Sequence, residues 1–277
     1  MESIISTTEL LAQYKRKEVV IIEATSGVHA EEIFRDEHLH NAKLVDLDLE
    51  LSSAADPKFG GRHPLPDINE FSVLLGKLGI TPENHVIVYD RANGANAAAR
   101  FWWMLCSVGH RYVQVLSGGF DHAKSDGIPT DSGGAIYPNL PPYPVDNWKF
   151  PMADMKQVAE ATVNSSSLII DVREQRRFNG EIEPIDLIAG HIPSAVNIPL
   201  SNNLTNRGLF KSKEALRTMY APYFLNKDSN NIIVHCGSGV TACHTILTLF
   251  YAGFPIPNLY VGSWSEWSRN NNPIATV

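Results

Sequence analysis

Short apolar runs alternate with stretches of helical period along this chain, and the whole order occurs twice. In the first half Ile21-Ile22-Glu23-Ala24 is predicted as a buried strand. The segment His38-Leu39-His40-Asn41-Ala42-Lys43-Leu44 follows, and then a second strand, Val86-Ile87-Val88-Tyr89-Asp90. A helical pattern runs through Phe101-Trp102-Trp103-Met104-Leu105 to a stop at Gly109, and Val113-Gln114-Val115-Leu116-Ser117-Gly118-Gly119-Phe120 closes the unit. The second half keeps this order. Leu168-Ile169-Ile170-Asp171-Val172 is its first strand, and His191-Ile192-Pro193-Ser194-Ala195-Val196-Asn197 answers the His38 segment. Ile232-Ile233-Val234-His235-Cys236 leads into a helix through Leu247-Thr248-Leu249-Phe250, Gly253 stops it, and Leu259-Tyr260-Val261-Gly262-Ser263-Trp264 closes the unit. Continuous apolar runs joined by helical crossovers predict α/β domains with mainly parallel sheets and helices on both faces. Between the halves, Tyr137-Pro138-Asn139-Leu140-Pro141-Pro142-Tyr143-Pro144 can form neither helix nor central strand and reads as a semi-rigid linker. The expected organisation is therefore a first domain over 1–135, a linker over 136–150 and a second domain over 151–277.

Superposing the two halves sets Asp90 opposite Cys236, so only the second half carries a nucleophile at this position. The apolar strand Ile232 to Val234 runs into Cys236, then into Gly237-Ser238-Gly239, and a helical pattern starts at Val240 and Thr241. A thiol placed where a strand ends and a helix begins is ringed by backbone N–H groups, which favour anions, a thiolate included. Gly237 and Gly239 let the backbone approach such an anion and take positive φ where required. Thr241 stands where the helix begins, and capping is its simplest use.

Composition narrows the class. A net charge of −7 and an isoelectric point near 5.8 argue against nucleic-acid binding, and no apolar run approaches the length of a membrane span. Met1-Glu2-Ser3-Ile4-Ile5-Ser6 has no basic region followed by an apolar one, so it does not read as a signal peptide. Three cysteines make no disulfide framework, and a reducing cytoplasm is the expected setting. Cys106 lies in an apolar helical run and reads as core. Cys243 reads as a small core residue, with resolution of an oxidised Cys236 as the alternative. The ten histidines pair with no cysteine or acid at ligand spacing, so no metal and no cofactor is expected.

The Cys236–Ala242 loop, Arg177-Phe178-Asn179-Gly180, Gly190-His191-Ile192-Pro193 and Gly262-Ser263-Trp264-Ser265-Glu266-Trp267 together resemble the two-domain sulfurtransferases of the rhodanese family. The resemblance covers nearly the full length. It implies two tandem rhodanese-like domains, the first catalytically silent, and a persulfide formed on Cys236. It also implies a small-molecule sulfur donor and a thiol or cyanide acceptor, with a thioredoxin-like reductant as a further partner. In this family Cys-Gly-Ser-Gly marks enzymes that take sulfur from 3-mercaptopyruvate, whereas Cys-Arg-Lys-Gly marks those that use thiosulfate. An uncharged loop of N–H groups and one hydroxyl suits a keto acid better than a compact dianion.

The resemblance also implies roles for single residues. Arg177 matches an arginine that grips the donor carboxylate with its planar two-pronged head. Gly237, Gly239, Val240 and Thr241 line the substrate site. Ser238 hydrogen-bonds the thiolate or relays a proton to the departing enolate. Asp48 and His63 match residues of a serine–histidine–aspartate relay, with His63 on what reads as a mobile surface loop, Gly60-Gly61-Arg62-His63-Pro64-Leu65-Pro66. Arg173 and Arg176 read as surface charges, and Trp264 and Trp267 as pocket wall or packing. A second carboxylate-binding arginine is expected after Glu183-Pro184, but Ile185-Asp186 stand there, which keeps thiosulfate open as donor. Phosphatase chemistry needs an arginine six residues after the cysteine, and Ala242 stands there instead. A non-catalytic persulfide carrier is the remaining alternative.

Overall fold

The computed structural model describes residues 2–14, 19–225 and 227–277. The chain divides into two compact units. Unit 1 comprises Met1–Ser53, Pro66–Lys149 and Asn206–Phe210, and unit 2 comprises Ala54–Leu65, Phe150–Thr205 and Lys211–Val277. Each unit thus follows one repeat of the sequence, apart from one short segment that each takes from the other half.

In unit 1 the strands are β1 (Ile4–Ile5), β2 (Val19–Thr25), β3 (His38–Leu39), β4 (Lys43–Asp46), β5 (His85–Tyr89), β6 (Val113–Leu116) and β7 (Thr130–Asp131). Five of them form a parallel sheet in the order β1-β6-β5-β2-β4, and β3 pairs antiparallel with β7. In unit 2, β8 (Leu168–Asp171), β9 (Val196–Asn197), β10 (Ile232–His235) and β11 (Asn258–Leu259) form a parallel sheet in the order β11-β10-β8-β9. That order repeats β6-β5-β2-β4. The bridge of Met152 to Leu259 stands in for β1, and the antiparallel bridge of His191 to Ala275 stands in for the β3–β7 pair.

The apolar runs become central strands because both of their faces are covered. In unit 1, Ile5, Ile21, Phe34, Leu39, Ile87 and Leu116 share one buried cluster; in unit 2, Val158, Ile169, Ile192, Ile233, Trp264 and Trp267 form its counterpart. Each fully buried large side chain contributes about 1.5–3 kcal/mol. The helices Ala97–Ser107 and Thr241–Tyr251 follow β5 and β10, and both are buried over nearly their whole length. A local signature also repeats. The ring of His38 stacks on Phe34 at 3.9 Å and bonds the Phe34 carbonyl through Nδ1 at 2.7 Å, as His191 does with Phe178 at 3.7 Å and 2.7 Å. The proline-rich stretch runs along unit 1, where the N–H groups of Leu140 and Tyr143 donate to the carbonyls of Gly76 and Ser72. Among the described residues, no helix is long and apolar enough to cross a membrane.

Candidate active site

β10 ends at His235, so Cys236 sits at the carboxyl edge of the unit 2 sheet, where open α/β sheets bind their ligands. Cys236 is buried, and its backbone is held by the helix Ser263–Trp267. The Cys236 N–H donates to Ser263 Oγ at 3.2 Å, the Cys236 carbonyl accepts from the Trp264 N–H at 3.0 Å, and the Gly237 carbonyl accepts from the Ser265 N–H at 2.8 Å. Gly239 takes a φ of +75°, and a Cβ there would run into the Val261 carbonyl oxygen, so both conformation and space demand glycine. The helix Thr241–Tyr251 then begins at Val240 with no side-chain cap, which turns its positive dipole end to the loop.

The matching turn of unit 1 shows what such a backbone gathers around. Asp90 follows β5 as Cys236 follows β10. Its buried carboxylate accepts the N–H groups of Ala92, Gly94, Asn96 and Ala98 at 2.8, 2.7, 3.0 and 3.2 Å. Burial pushes the Asp90 carboxyl up, and those four N–H groups work against it. The turn is an anion holder that unit 1 fills with its own side chain.

His63 and Ser238 are brought together. Nδ1 of His63 lies 2.7 Å from Ser238 Oγ, and His63 reaches it because residues 54–65 belong to unit 2. The segment expected to be a mobile surface loop is instead half-buried and tied down: the Gly60 N–H donates to Glu266 Oε1 at 2.7 Å, and the Arg62 N–H donates to Ser265 Oγ at 3.1 Å. Asp48 lies in unit 1, on the short helix Leu47–Glu50, where its carboxylate accepts the Gly27 N–H at 3.2 Å.

Arg177, on the helix Gln175–Asn179, binds Glu183 through Nε at 3.2 Å and Nη2 at 2.7 Å, and its Nη2 lies 3.5 Å from Asp186. Arg62 and Arg269 also pair with Asp186, whose side chain is wholly buried. None of the grouping of Arg62, Arg269 and Asp186 follows from the sequence pattern; only the adjacency of Arg62 to His63 hinted at it. Ser263 and Ser265, which fix the loop backbone, were likewise visible only as part of a motif.

Arg173 is not a surface charge. It is buried against Asp171 at 2.7 Å, donates to the Gly190 carbonyl at 2.7 Å and lies over the Trp264 ring at 4.7 Å, because a cation beside a strand-end carboxylate satisfies both without water. Burial works to raise the Asp171 carboxyl, but His235 and Arg173 outweigh it and hold it below the usual range. Burial pushes His235 down, against the pull of the Asp171 carboxylate beside it. Arg176 is exposed and pairs with Glu181. Trp264 and Trp267 pack in the core. The Cys243 thiol donates to the Gly239 carbonyl at 3.3 Å, and burial pushes the Cys106 thiol up. Among the described residues, no group of three or more histidines, cysteines or acids is placed to hold a metal ion.

Two parallel sheets of matching order, one of them leading into a glycine turn with a cysteine at its head, define the class. The chain belongs to the rhodanese family: the Rhodanese-like domain matches residues 6–126 and again 154–270. It is an enzyme, a sulfurtransferase that acts on small-molecule sulfur donors and acceptors. It is 33% identical over 283 residues to the protein named "Probable 3-mercaptopyruvate sulfurtransferase" of Pseudomonas aeruginosa, a match that covers 99% of this chain and 98% of that one. It is 34% identical over 251 residues to the thiosulfate sulfurtransferase of Rattus norvegicus, covering 88% of this chain and 82% of the relative. Among solved structures, the 3-mercaptopyruvate sulfurtransferase from Leishmania major superposes with a TM-score of 0.80 at 30% identity, covering 96% of this chain and 74% of that one.

Proposed function

We propose that the chain takes sulfur from 3-mercaptopyruvate and passes it to a thiol or to cyanide through a persulfide on Cys236. The Cys236 thiolate attacks the donor sulfur, so an S–S bond forms as the C–S bond breaks. The electron pair of that C–S bond leaves on carbon as the enolate of pyruvate, and one proton completes pyruvate. Cyanide or a thiolate then attacks the outer sulfur, which leaves as thiocyanate or a new persulfide and restores the Cys236 thiolate. The turn from Gly237 through Gly239 to Val240 and Thr241 would hold each anionic sulfur, as its counterpart holds Asp90. Acceptor thiols include a thioredoxin-like reductant, and a reducing cytoplasm suits a chain whose three cysteines are unbridged.

The observation that carries the donor assignment is the His63–Ser238 contact beside Cys236. An enolate leaving group needs a proton, and a hydroxyl backed by an imidazole delivers one. Sulfite leaving from thiosulfate needs none. Thiosulfate remains the second reading because two guanidinium groups, Arg62 and Arg177, stand near Gly237.

The test is to compare kcat/KM for 3-mercaptopyruvate and thiosulfate with cyanide as acceptor. A preference for 3-mercaptopyruvate is expected, and a preference for thiosulfate reverses the assignment. Cys236→Ser is expected to lose transfer from either donor. A single stoichiometric release of pyruvate, with no turnover on adding thiol, would instead mark a persulfide carrier.

A further inference from the structure

We propose that Arg62 is the second donor-binding arginine of this enzyme, and that Asp186 is the residue that positions it. This rests on the sulfurtransferase reading of Cys236 and adds the residue that selects an anionic donor.

Gly237 follows the nucleophile directly. A Cβ built there would lie 3.2 Å from Arg62 Nη2 and 3.5 and 3.7 Å from Nη2 and Nη1 of Arg177. Two guanidinium groups therefore border the same point beside Cys236, one from the segment 54–65 and one from the helix Gln175–Asn179. Arg62 gives Nη1 to Asp186 and its backbone N–H to Ser265, while its Nη2, the atom nearest Gly237, has no acceptor among the described residues. Only 22% of the Arg62 side chain is exposed, so an anion beside Gly237 would meet a partly desolvated guanidinium edge and form a charge-assisted hydrogen bond with it.

The ion-paired network around this point joins Arg62, Arg173, Arg177 and Arg269 to Asp171, Glu183 and Asp186. Four cations against three anions leave one positive charge, matched by a single carboxylate. Glu266 stands outside the network, bonded to the Gly60 N–H. Position 186, in the stretch where a second arginine was expected, holds instead the acid that fixes Arg62. The guanidinium reaches the site from a different segment, and the carboxylate end of the donor is its ligand.

The test varies donor and acceptor separately in wild type, Arg62→Gln, Arg62→Lys, Asp186→Asn and the double variant Arg62→Gln/Asp186→Asn, with circular dichroism confirming that each folds. Arg62→Gln is expected to raise the KM for 3-mercaptopyruvate by about ten- to a hundredfold, the loss of one charged hydrogen bond, while the KM for cyanide stays unchanged. Arg62→Lys restores part of that loss, since it keeps the charge without the fork. Asp186→Asn raises the donor KM severalfold with kcat little changed, and most of that loss disappears in the Arg62→Gln background, the remainder reflecting the 3.5 Å contact of Asp186 with Arg177. Inhibition by pyruvate, but not by the uncharged pyruvamide, weakens in Arg62→Gln. An unchanged donor KM in Arg62→Gln overturns the assignment of Arg62, and an Asp186→Asn that loses stability with no change in KM overturns its positioning role. Failure of the underlying reading shows separately, as wild-type protein that forms no thiocyanate from either donor.

Discussion

His63 Nδ1 stands 2.7 Å from the Oγ of Ser238, although 175 positions separate the two residues in sequence. Neither residue is chemically unusual alone. Together they set a hydroxyl and an imidazole two residues from Cys236, and what the proposed reaction asks of them depends on the leaving group.

If the pair protonates an enolate, its loss should fall on one donor. Ser238→Ala and His63→Gln are each expected to lower kcat with 3-mercaptopyruvate by about 10²-fold, the low end of what general acid catalysis supplies. The residual rate with thiosulfate should change by far less. Steady-state rates for both donors at saturating cyanide check this, and equal losses would assign the pair to holding the thiolate.

Gly237 and Gly239 should part company on substitution. Gly239→Ala forces a side chain into positive φ and against the Val261 carbonyl, so we expect a loss of about 2 kcal/mol or more in unfolding free energy together with loss of activity. Gly237→Ala meets only the guanidinium ends of Arg62 and Arg177, at 3.2 Å and beyond, and keeps the fold, while raising the donor KM. Urea unfolding and kinetics on the two variants separate the effects.

Asp90 anchors four backbone N–H groups of unit 1, and the proposed reaction does not use it. Asp90→Ala leaves those donors buried without their acceptor, and we expect a loss of about 2–4 kcal/mol in stability. The kcat of the folded fraction should stay near that of wild type, which activity measured per mole of folded protein at low temperature will show.

Stability should fall as pH is lowered, in two stages. Burial pushes both His110 and His235 down, so below the ordinary histidine value the unfolded chain binds protons that the folded chain refuses. More protons in the unfolded state means stability rises with pH and is lost on acidification, by up to about 1.4 kcal/mol per pH unit for each group. The second stage comes in the carboxylate range. Asp171, held low, contributes stability above its ordinary value that disappears as pH falls through its folded value. Urea midpoints between pH 8 and about 2 test both stages, the first above about pH 4 and the second below it. His235→Gln, if it folds, flattens the first.

The fold was legible because its information is local. Runs such as Ile232–Val234 and Val86–Val88 declare buried parallel strands, and the shared order of both halves supplies the topology. Cys236 was legible for the same reason, as the glycines beside it specify the turn. Arg62 and Asp186 were not legible, nor was the burial of Arg173. Each depends on a partner far away in sequence, and an arginine beside a glycine pair looks the same whether it faces water or a carboxylate. The Gly60–Pro66 segment misled for a related reason: its composition is that of an exposed loop, and partners that hold it, Glu266, Ser265, Ser238 and Asp186 among them, lie far away in sequence.

Asp90 has one more consequence. Its carboxylate is a permanent tenant, covalently attached and beyond the reach of any acceptor, so unit 1 displays in every molecule the filled condition that unit 2 would enter only for part of each turnover. Sulfur loading would then stiffen as well as charge the enzyme, closing the uncapped end of the helix Thr241–Tyr251 until an acceptor opens it again. On the proposed mechanism, unit 1 is a still image of unit 2 at mid-cycle.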